Sequence, residues 1–275
     1  MKRTIVNSNS FSLKNEIKEL LDYGDLLYFL VKRDVNAIYK QTVLGFTWAI
    51  IRPFVQMIVF TLFFGKLAGI EASMEPSIPY AVFSYIALVP WTYFSTSFVG
   101  STSSLVNNSG ILSKVYFPRI IIPLTPIIAK SVDFIIAFSV VLLLLLYYGL
   151  FPSLNVLFLP LFVIEMVLLA VGMGFWFSAM AIQYRDVNQL MQFGVQILMY
   201  MAPIIWPISY IPEKYHLLYG LYPIAGIIEG FRYCLIPDYD LSVYLVLSGV
   251  FSTFFVLLTG LVYFKYKERY FADVV

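Results

Sequence analysis

Six runs of about 20 apolar residues constrain this chain more than any other feature, because a helix of that length crosses the ~30 Å hydrocarbon core of a bilayer. They lie at roughly 48–67, 80–99, 127–148, 154–182, 190–208 and 241–264. Hydrophobic residues make up 60% of the 275 residues and charged residues only 12%, against about 25% charged in soluble domains. The sequence therefore predicts an all-α integral membrane protein with six transmembrane helices.

The whole chain, 1–275, is predicted to be one transmembrane domain. Residues 1–46 form a cytoplasmic or interfacial segment, 47–265 the six-span bundle and 266–275 a cytoplasmic tail. The first thirty residues contain no unbroken apolar core with a small-residue cleavage site, so no removable signal peptide is expected. The first span itself is expected to direct insertion.

Basic residues near the span ends predict the orientation, since Lys and Arg concentrate on the cytoplasmic side. With the N terminus inside, the outer flanks hold Lys66, Lys214 and Arg232. The inner flanks hold nine such residues: Lys32, Arg33, Lys40, Lys114, Arg119, Arg185, Lys265, Lys267 and Arg269. Both termini are therefore predicted to be cytoplasmic.

An amphipathic segment precedes the first span. Charged residues fill one face of this segment, and apolar residues recur at helical spacing on the other. The apolar residues are Ile17, Leu20, Leu21, Leu27, Tyr28 and Val31. This pattern predicts an N-terminal amphipathic helix lying in the membrane interface. Periodicity leaves two readings open, a simple anchor and a platform that contacts a soluble partner.

Turn signals crowd the segment between the second and third spans, which reads VNNSGILSKVYFPRIIIPLTP. A turn and helix start at Asn107, Asn108, Ser109 and Gly110 is followed by Pro118, so a short cytoplasmic helix is expected between two bends. Its other members are Ile111, Leu112, Ser113 and Lys114. The fourth and fifth spans are joined only by residues 183–189, which carry Arg185 and Asp186.

Residues 210–240 contain an apolar run broken by glycine and proline and too short to cross the membrane twice. Runs of ~10–14 apolar residues are typical of interfacial or re-entrant helices, so an outer re-entrant helical hairpin is expected between spans five and six. Glu229 and Arg232 stand three residues apart and are predicted to pair on one helical face.

The sequence contains none of the common nucleotide-binding or catalytic motifs. Gly65-Lys66 is the only Gly-Lys pair, and Phe60 stands where a P-loop needs its first glycine; GxSxG and HExxH are also missing. One cysteine, one histidine and a net charge of +2 predict neither a metal site nor nucleic-acid binding. The chain is thus not expected to be an enzyme, and transport would need a partner or an ion gradient.

Four ionisable residues, Arg52, Lys130, Asp133 and Glu165, fall inside or at the edges of the spans. Such residues cost at least ~2.5 kcal/mol each on insertion scales and indicate function or pairing. Lys130 and Asp133, three apart, are expected to neutralise each other, and Arg52 to snorkel to the inner headgroups. Glu165 has no sequence-local partner, which leaves an ion-driven secondary transporter as an alternative.

Polar and aromatic residues near the span ends form a candidate channel lining. The set is Tyr39, Phe46, Trp48, Trp91, Thr92, Ser95, Phe98, Gln192 and Gln196. Aromatic faces beside polar groups suit sugar rings. Interhelical hydrogen bonds explain the hydroxyl-rich residues as well as a channel lining does, whereas an interfacial belt is the simpler explanation for any one of the aromatic residues.

Four segments closely resemble the permease subunits of polysaccharide-export ABC transporters, the Wzm-type O-antigen exporters and their teichoic-acid relatives. The segments are VKRDVNAIYKQTVLGFTWAIIRP, KVYFPR, MQFGVQILMYMAPIIWPISYIP and YPIAGIIEGFR. The resemblance implies a homodimer in the bacterial inner membrane with two copies of a separate ABC ATPase, which binds ATP and Mg. The cargo would be an undecaprenyl-linked polysaccharide, moved from the cytoplasm to the outer face among membrane lipids.

The same resemblance assigns roles to residues. Asn107 to Lys114 would dock into the ATPase, Arg185 and Asp186 would make a second contact, and the hairpin with Glu229 and Arg232 would lie at the outer mouth of the channel. Two further functions stay open as alternatives. The chain could be a permease for teichoic acid, capsule, lipid or drug export, or a membrane enzyme of glycan assembly.

Overall fold

A computed structural model describes residues 13–40, 44–73, 78–112, 117–269 and 271. Within these ranges the regular elements are helices, and no strand occurs. The all-α prediction is therefore confirmed for the part of the chain that the structure describes.

The α-helices are numbered in chain order. They are α1 (Leu13–Asp22), α2 (Gly24–Lys40), α3 (Trp48–Phe60), α4 (Tyr80–Asn107), α5 (Ser109–Leu112), α6 (Ile121–Tyr148), α7 (Leu159–Ala181), α8 (Asp186–Met201), α9 (His216–Tyr219), α10 (Pro223–Leu235) and α11 (Val243–Glu268). Short 3₁₀ turns precede α3 at Gly45–Thr47 and α7 at Leu154–Phe158, and α3 continues as a π-helical stretch, Thr61–Leu67.

Among the described residues, five helical stretches are long and apolar enough to cross a membrane, so the chain is a multi-pass membrane protein. They are Gly45–Leu67, Tyr80–Asn107, Ile121–Tyr148, Leu154–Ala181 and Val243–Glu268. The sixth predicted span, 190–208, coincides with α8, which has only 16 residues. Its C-cap, Ala202, is extended with ψ 147°, the conformation that a following proline such as Pro203 imposes. Six spans thus remain a prediction.

Helix α4 is the centre of the bundle. Its most apolar window is 83% buried, against 22–33% for the other four spans, and it contacts α3, α6, α7, α8 and α10. Several of its buried hydroxyls donate to backbone carbonyls, as when Thr102 donates to the Phe98 carbonyl at 2.9 Å and Ser101 to the Pro123 carbonyl of α6 at 2.9 Å. The polar run of this helix is therefore compatible with a packed core.

Helices α7 and α11 approach closely through glycine. A Cβ atom at Gly172 would lie 2.7 Å from the Leu257 Cα, and one at Gly260 would collide with the Gly172 carbonyl. Small residues permit this backbone approach between membrane helices. The contact holds the end of the chain against the middle of the bundle.

Candidate functional site

The segment predicted to couple to a partner contains a short helix. Helix α4 ends at Asn107, Asn108 caps it, and Ser109–Leu112 form α5. The Asn108 side-chain amide donates to the Ser104 carbonyl at 2.8 Å, and the same carbonyl accepts the backbone N–H of Asn108 at 3.1 Å. Ser113 and Lys114 lie outside the described residues.

The amphipathic helix α2 is joined to this segment by a polar contact. Arg33 donates from Nη2 to Oδ1 of Asn108 at 3.0 Å. Its Nε donates to Asp34 at 2.9 Å, so the guanidinium is fixed from two sides. Sequence reasoning used Arg33 only as an orientation signal and missed this contact, which no local pattern encodes.

A compact apolar cluster, here termed the basal cluster, gathers the ends of several helices. It joins α2, α4, α5, α6, α7 and α11 through a shared set of buried side chains: Leu30, Leu105, Leu112, Phe117, Ile120, Phe175, Ile182, Phe264 and Phe271. The predicted interface helix and coupling segment therefore lie on the same end of the bundle.

The end of α11 is tied to the same region. Arg119 donates to the Glu268 carbonyl and lies 5.9 Å from the ring of Phe271. Lys267 donates to Oε1 of Gln183 at 3.2 Å. These contacts link the α5–α6 and α7–α8 connections through the last helix.

The second predicted contact point also lies at the basal end. Arg185 and Asp186 are exposed at the start of α8, three and four residues after Ile182 of the basal cluster. Asp186 in the first turn is favourable, because the N-terminal end of a helix attracts negative charge. The two predicted docking points thus flank one surface.

The structure divides the predicted channel residues into three groups. Trp91, Ser95 and Phe98 are buried inside the single chain, where Phe98 meets Phe177 edge to face at a centroid distance of 5.3 Å. Gln192 and Gln196 are exposed on α8. The channel role of both groups stays a prediction, and they do not form one continuous stripe within a single chain.

The third group lies around a mostly apolar cavity of about 310 Å³ between α2, α3, α4 and α6, which holds charged side chains and is here termed the charged cavity. Tyr39 lines it and stacks on Phe46, with ring centroids 3.9 Å apart. The lining also includes Trp48, Arg52, Thr92, Lys130 and Asp133. Lys130 Nζ lies 2.8 Å from Asp133 Oδ2, so the ion pair expected from their spacing is present.

At the opposite end, the predicted Glu229–Arg232 pair is present and fully enclosed. The nitrogen Nη1 of Arg232 lies 2.6 Å from Oε1 of Glu229, with 0% and 1% of the side chains exposed. Tyr239 donates to the second carboxylate oxygen at 2.7 Å. Burial raises the pKa of the Tyr239 phenol, so it remains a donor. This geometry fixes α10, while an outer-gate role stays a prediction.

Glu165 is also buried, at 8% exposure. Thr253 Oγ1 lies 3.4 Å from its Oε1, and the carboxyl group lines an otherwise apolar cavity of about 530 Å³ between α7 and α11. Sequence reasoning found the residue but not this long-range partner, because 88 residues separate the two.

This arrangement, with several membrane-crossing helices and a basal end built from interspan segments, is that of a multi-pass membrane protein whose connections form one surface. Residues 25–236 match the family of ABC-2 type transporters. Because that match covers most of the chain, the protein belongs to the ABC-2 type transporter family.

Relatives with assigned roles extend the comparison. The O-antigen export system permease protein RfbA of Klebsiella pneumoniae is 28% identical over 256 residues, covering 91% of this chain and 95% of the relative. The protein of the same name from Myxococcus xanthus is 26% identical, covering 78% and 82%. The polysialic acid transport protein KpsM of Escherichia coli is 25% identical, covering 76% and 81%.

Proposed function

We propose that this chain is the channel-forming transmembrane subunit of an ATP-driven exporter of lipid-linked polysaccharide. Family membership supports the transporter class, and the names of the relatives support the cargo. An O-antigen-like glycan is favoured, because the RfbA proteins match more of the chain than KpsM does. A capsular glycan is the second candidate, and it rests on the KpsM match.

Energy enters through a separate ATPase, since the sequence has no P-loop for ATP and Mg. The observation that carries this step is the basal cluster, which packs α2, α5 and the end of α7 into one unit. A partner pressing on Asn107 to Lys114, and on Arg185 and Asp186, would move several spans together. The Arg33–Asn108 contact transmits that force to α2.

The basal end is assigned to the cytoplasm of a bacterial inner membrane. Arg33, Arg119, Arg185 and Lys267 all lie there, in agreement with the cytoplasmic excess of basic residues. With α8 and the residues up to 208 as a sixth crossing, both termini are cytoplasmic. Helices α9 and α10 then form the outer hairpin, with Glu229 and Arg232 near the channel mouth.

Two copies of the chain would enclose the path. The surfaces of α3 with its π-helical continuation, and of α8, expose large apolar side chains: Val55, Ile58, Leu62, Phe63, Leu190, Phe193, Ile197 and Tyr200. Gln192 and Gln196 share the exposed surface of α8. A homodimer that joins these faces would offer amide groups and aromatic rings to an undecaprenyl-linked glycan.

Affinity purification from the native membrane tests the proposal. The tagged chain should co-purify with an ABC ATPase in a one-to-one ratio. Deletion of the gene for the tagged chain should abolish surface glycan, while glycan accumulates in the cytoplasm. Loss of the ATPase on Arg185→Glu with Asp186→Arg, but not on Lys214→Gln at the opposite end, would support the basal docking surface. Purification without any ATPase would contradict the proposal.

A further inference from the structure

Glu165 differs from the other buried carboxylate in having no cationic partner among the described residues. The part of the chain that the structure describes buries two carboxylates, Glu165 and Glu229. Glu229 lies 2.6 Å from Arg232, but none of the ion pairs formed there includes Glu165. An ionisable group inside a membrane span is costly and is usually paired. Glu165 therefore lacks the balance that Arg232 gives to Glu229.

The Glu165 carboxyl group is also short of hydrogen bonds. Thr253 Oγ1 lies 3.4 Å from Oε1, beyond the ~2.5–3.0 Å that is usual for a hydroxyl donor. The other oxygen, Oε2, makes no hydrogen bond to a described residue, and it is not fully enclosed. Buried polar groups are ordinarily hydrogen-bonded, so this oxygen can accept a donor from outside the chain.

The carboxyl group lies on the wall of the cavity of about 530 Å³ described above, here termed the Glu165 cavity. This volume is within the ~300–1,000 Å³ of small-molecule sites. Apolar side chains of α7, α10 and α11 form most of the remaining wall, among them Leu161, Phe162, Leu168, Tyr233, Val246 and Val250. Phe162 and Leu168 lie one helical turn to either side of Glu165. A matching ligand therefore has an apolar body around one polar group.

The depth of the cavity limits the ligand further. Glu165 is the twelfth of the 28 residues of the span Leu154–Ala181, and a helix of that length exceeds the ~30 Å hydrocarbon core by about 12 Å. Shared between the two ends, that excess leaves Glu165 about 10 Å inside the hydrocarbon. Gln183, which follows the same helix, contacts Lys267 at the basal end, so the cavity lies in the opposite half of the bundle.

The cavity opens sideways between α7 and α11. Lining residues at its rim are half or more exposed on the surface of the chain: Leu161 by 62%, Ile164 by 54% and Phe254 by 50%. Exposed apolar side chains of a membrane-crossing helix face lipid. A ligand would therefore enter from the bilayer, and it must be soluble in hydrocarbon.

We propose that the Glu165 cavity binds a lipophilic amine from the bilayer, with its ammonium group held by the Glu165 carboxylate. A hydrocarbon chain would cover the apolar walls but leave the carboxyl group unmatched. An amine can enter the hydrocarbon uncharged and accept the proton of the carboxyl group, so that the resulting pair is neutral as a whole and joined by a charge-assisted hydrogen bond. The site lies apart from the α3 and α8 faces proposed for export and does not depend on them.

Binding of radiolabelled 1-aminoadamantane to the full chain tests this site. The chain is placed in phosphatidylcholine nanodiscs in the complex in which it is purified, and binding to empty discs is subtracted. The control ligand is 1-adamantanol, which has the same apolar skeleton with a hydroxyl in place of the amine. The amine should bind about tenfold or more tightly than the alcohol, the ratio expected for one charge-assisted contact.

Two kinds of variant separate the charge from the space. Glu165→Gln keeps the shape of the side chain, so amine binding should fall to the level of the alcohol while alcohol binding changes by less than about twofold. Val250→Phe fills the cavity and should weaken both ligands. Val262→Phe, on the same helix, outside the cavity and 57% exposed, should change neither. If Val250→Phe does not fold, Ile164→Phe at the rim replaces it.

Three results would overturn the proposal. Equal binding of amine and alcohol would show that the cavity takes any apolar chain. A preference for the amine that survives Glu165→Gln would mean that the carboxylate does not hold the ammonium group. Unchanged amine binding in the folded cavity-filling variant would show that the amine binds elsewhere. Failure of the export proposal is seen separately, in the purification of the ATPase.

Discussion

The guanidinium of Arg232 donates a 2.6 Å hydrogen bond to the carboxylate of Glu229, and neither side chain is more than 1% exposed. The same guanidinium donates to the Ile204 carbonyl at 3.2 Å and covers the ring of Phe83 at 3.4 Å. The Arg232 side chain therefore contacts three separate parts of the chain: α10, the loop after α8 and α4. Helix α10 is held against α4 and the loop after α8 by this contact.

Removing the charge of Glu229 should destabilise the protein. Glu229→Gln keeps the side-chain shape but leaves Arg232 charged and buried, a change that costs about 3–5 kcal/mol. We expect a clear fall in the melting temperature of the purified protein, measured by fluorescence-detected size exclusion after heating. Lys214→Gln serves as the control, and a Glu229→Gln protein that melts with the wild type would contradict the structural role.

Lys130 and Asp133 should behave as a coupled pair. Lys130→Leu leaves the Asp133 carboxylate, and Asp133→Leu leaves the Lys130 ammonium, without its partner at 2.8 Å, whereas replacing both with leucine removes the charges together. Each single change should lower the yield of folded protein in the membrane, and the double change should restore it. A well-folded double variant without export would show that the pair also takes part in transport.

A cysteine at Ser109 should crosslink to the ATPase. Ser109 begins α5 beside the basal cluster, and the expected docking places it against the partner. The Cys234→Ala background removes the chain's one native cysteine. Tyr147→Cys, near the end of α6 and 81% exposed, is the matched position on the opposite side. Labelling of Ser109→Cys by an impermeant reagent from outside would reverse the proposed topology.

Export should not depend on ionisation of Glu165. Glu165→Gln preserves shape and still accepts a hydrogen bond from Thr253, but it cannot change charge during a cycle. Surface glycan should therefore reach the wild-type level when the variant is expressed normally with its ATPase. Loss of export in this variant, together with sensitivity to a protonophore at constant ATP, would favour an ion-driven mechanism instead.

The thiol of Cys234 should resist modification in the folded protein. Burial raises the pKa of this thiol to about 11, well above its ordinary value, so only a very small fraction is thiolate at pH 8, and the thiolate is the reactive form. We expect no N-ethylmaleimide adduct by mass spectrometry until denaturant is added. Rapid labelling without denaturant would show that α10 opens readily.

Much of this protein is determined by local sequence. The apolar runs predict the membrane-crossing helices, because the length needed to cross a bilayer is independent of the neighbours. The turn residues from Asn107 to Gly110 predict the short helix α5, and the spacing of Glu229 and Arg232 predicts their pairing. The four segments that resemble export permeases predicted the family that the comparison shows.

Only the tertiary structure decided how these parts meet. Arg33 and Asn108 are 75 residues apart, and Arg232 reaches a carbonyl 149 residues away at Phe83. No periodicity within one helix encodes such contacts, since they depend on how separate helices pack. The same packing buried Trp91 and Phe98 inside the chain and brought Arg52, Lys130 and Asp133 to one cavity. The sequence thus determined the helices and the protein family, and packing between distant segments determined which side chains contact one another.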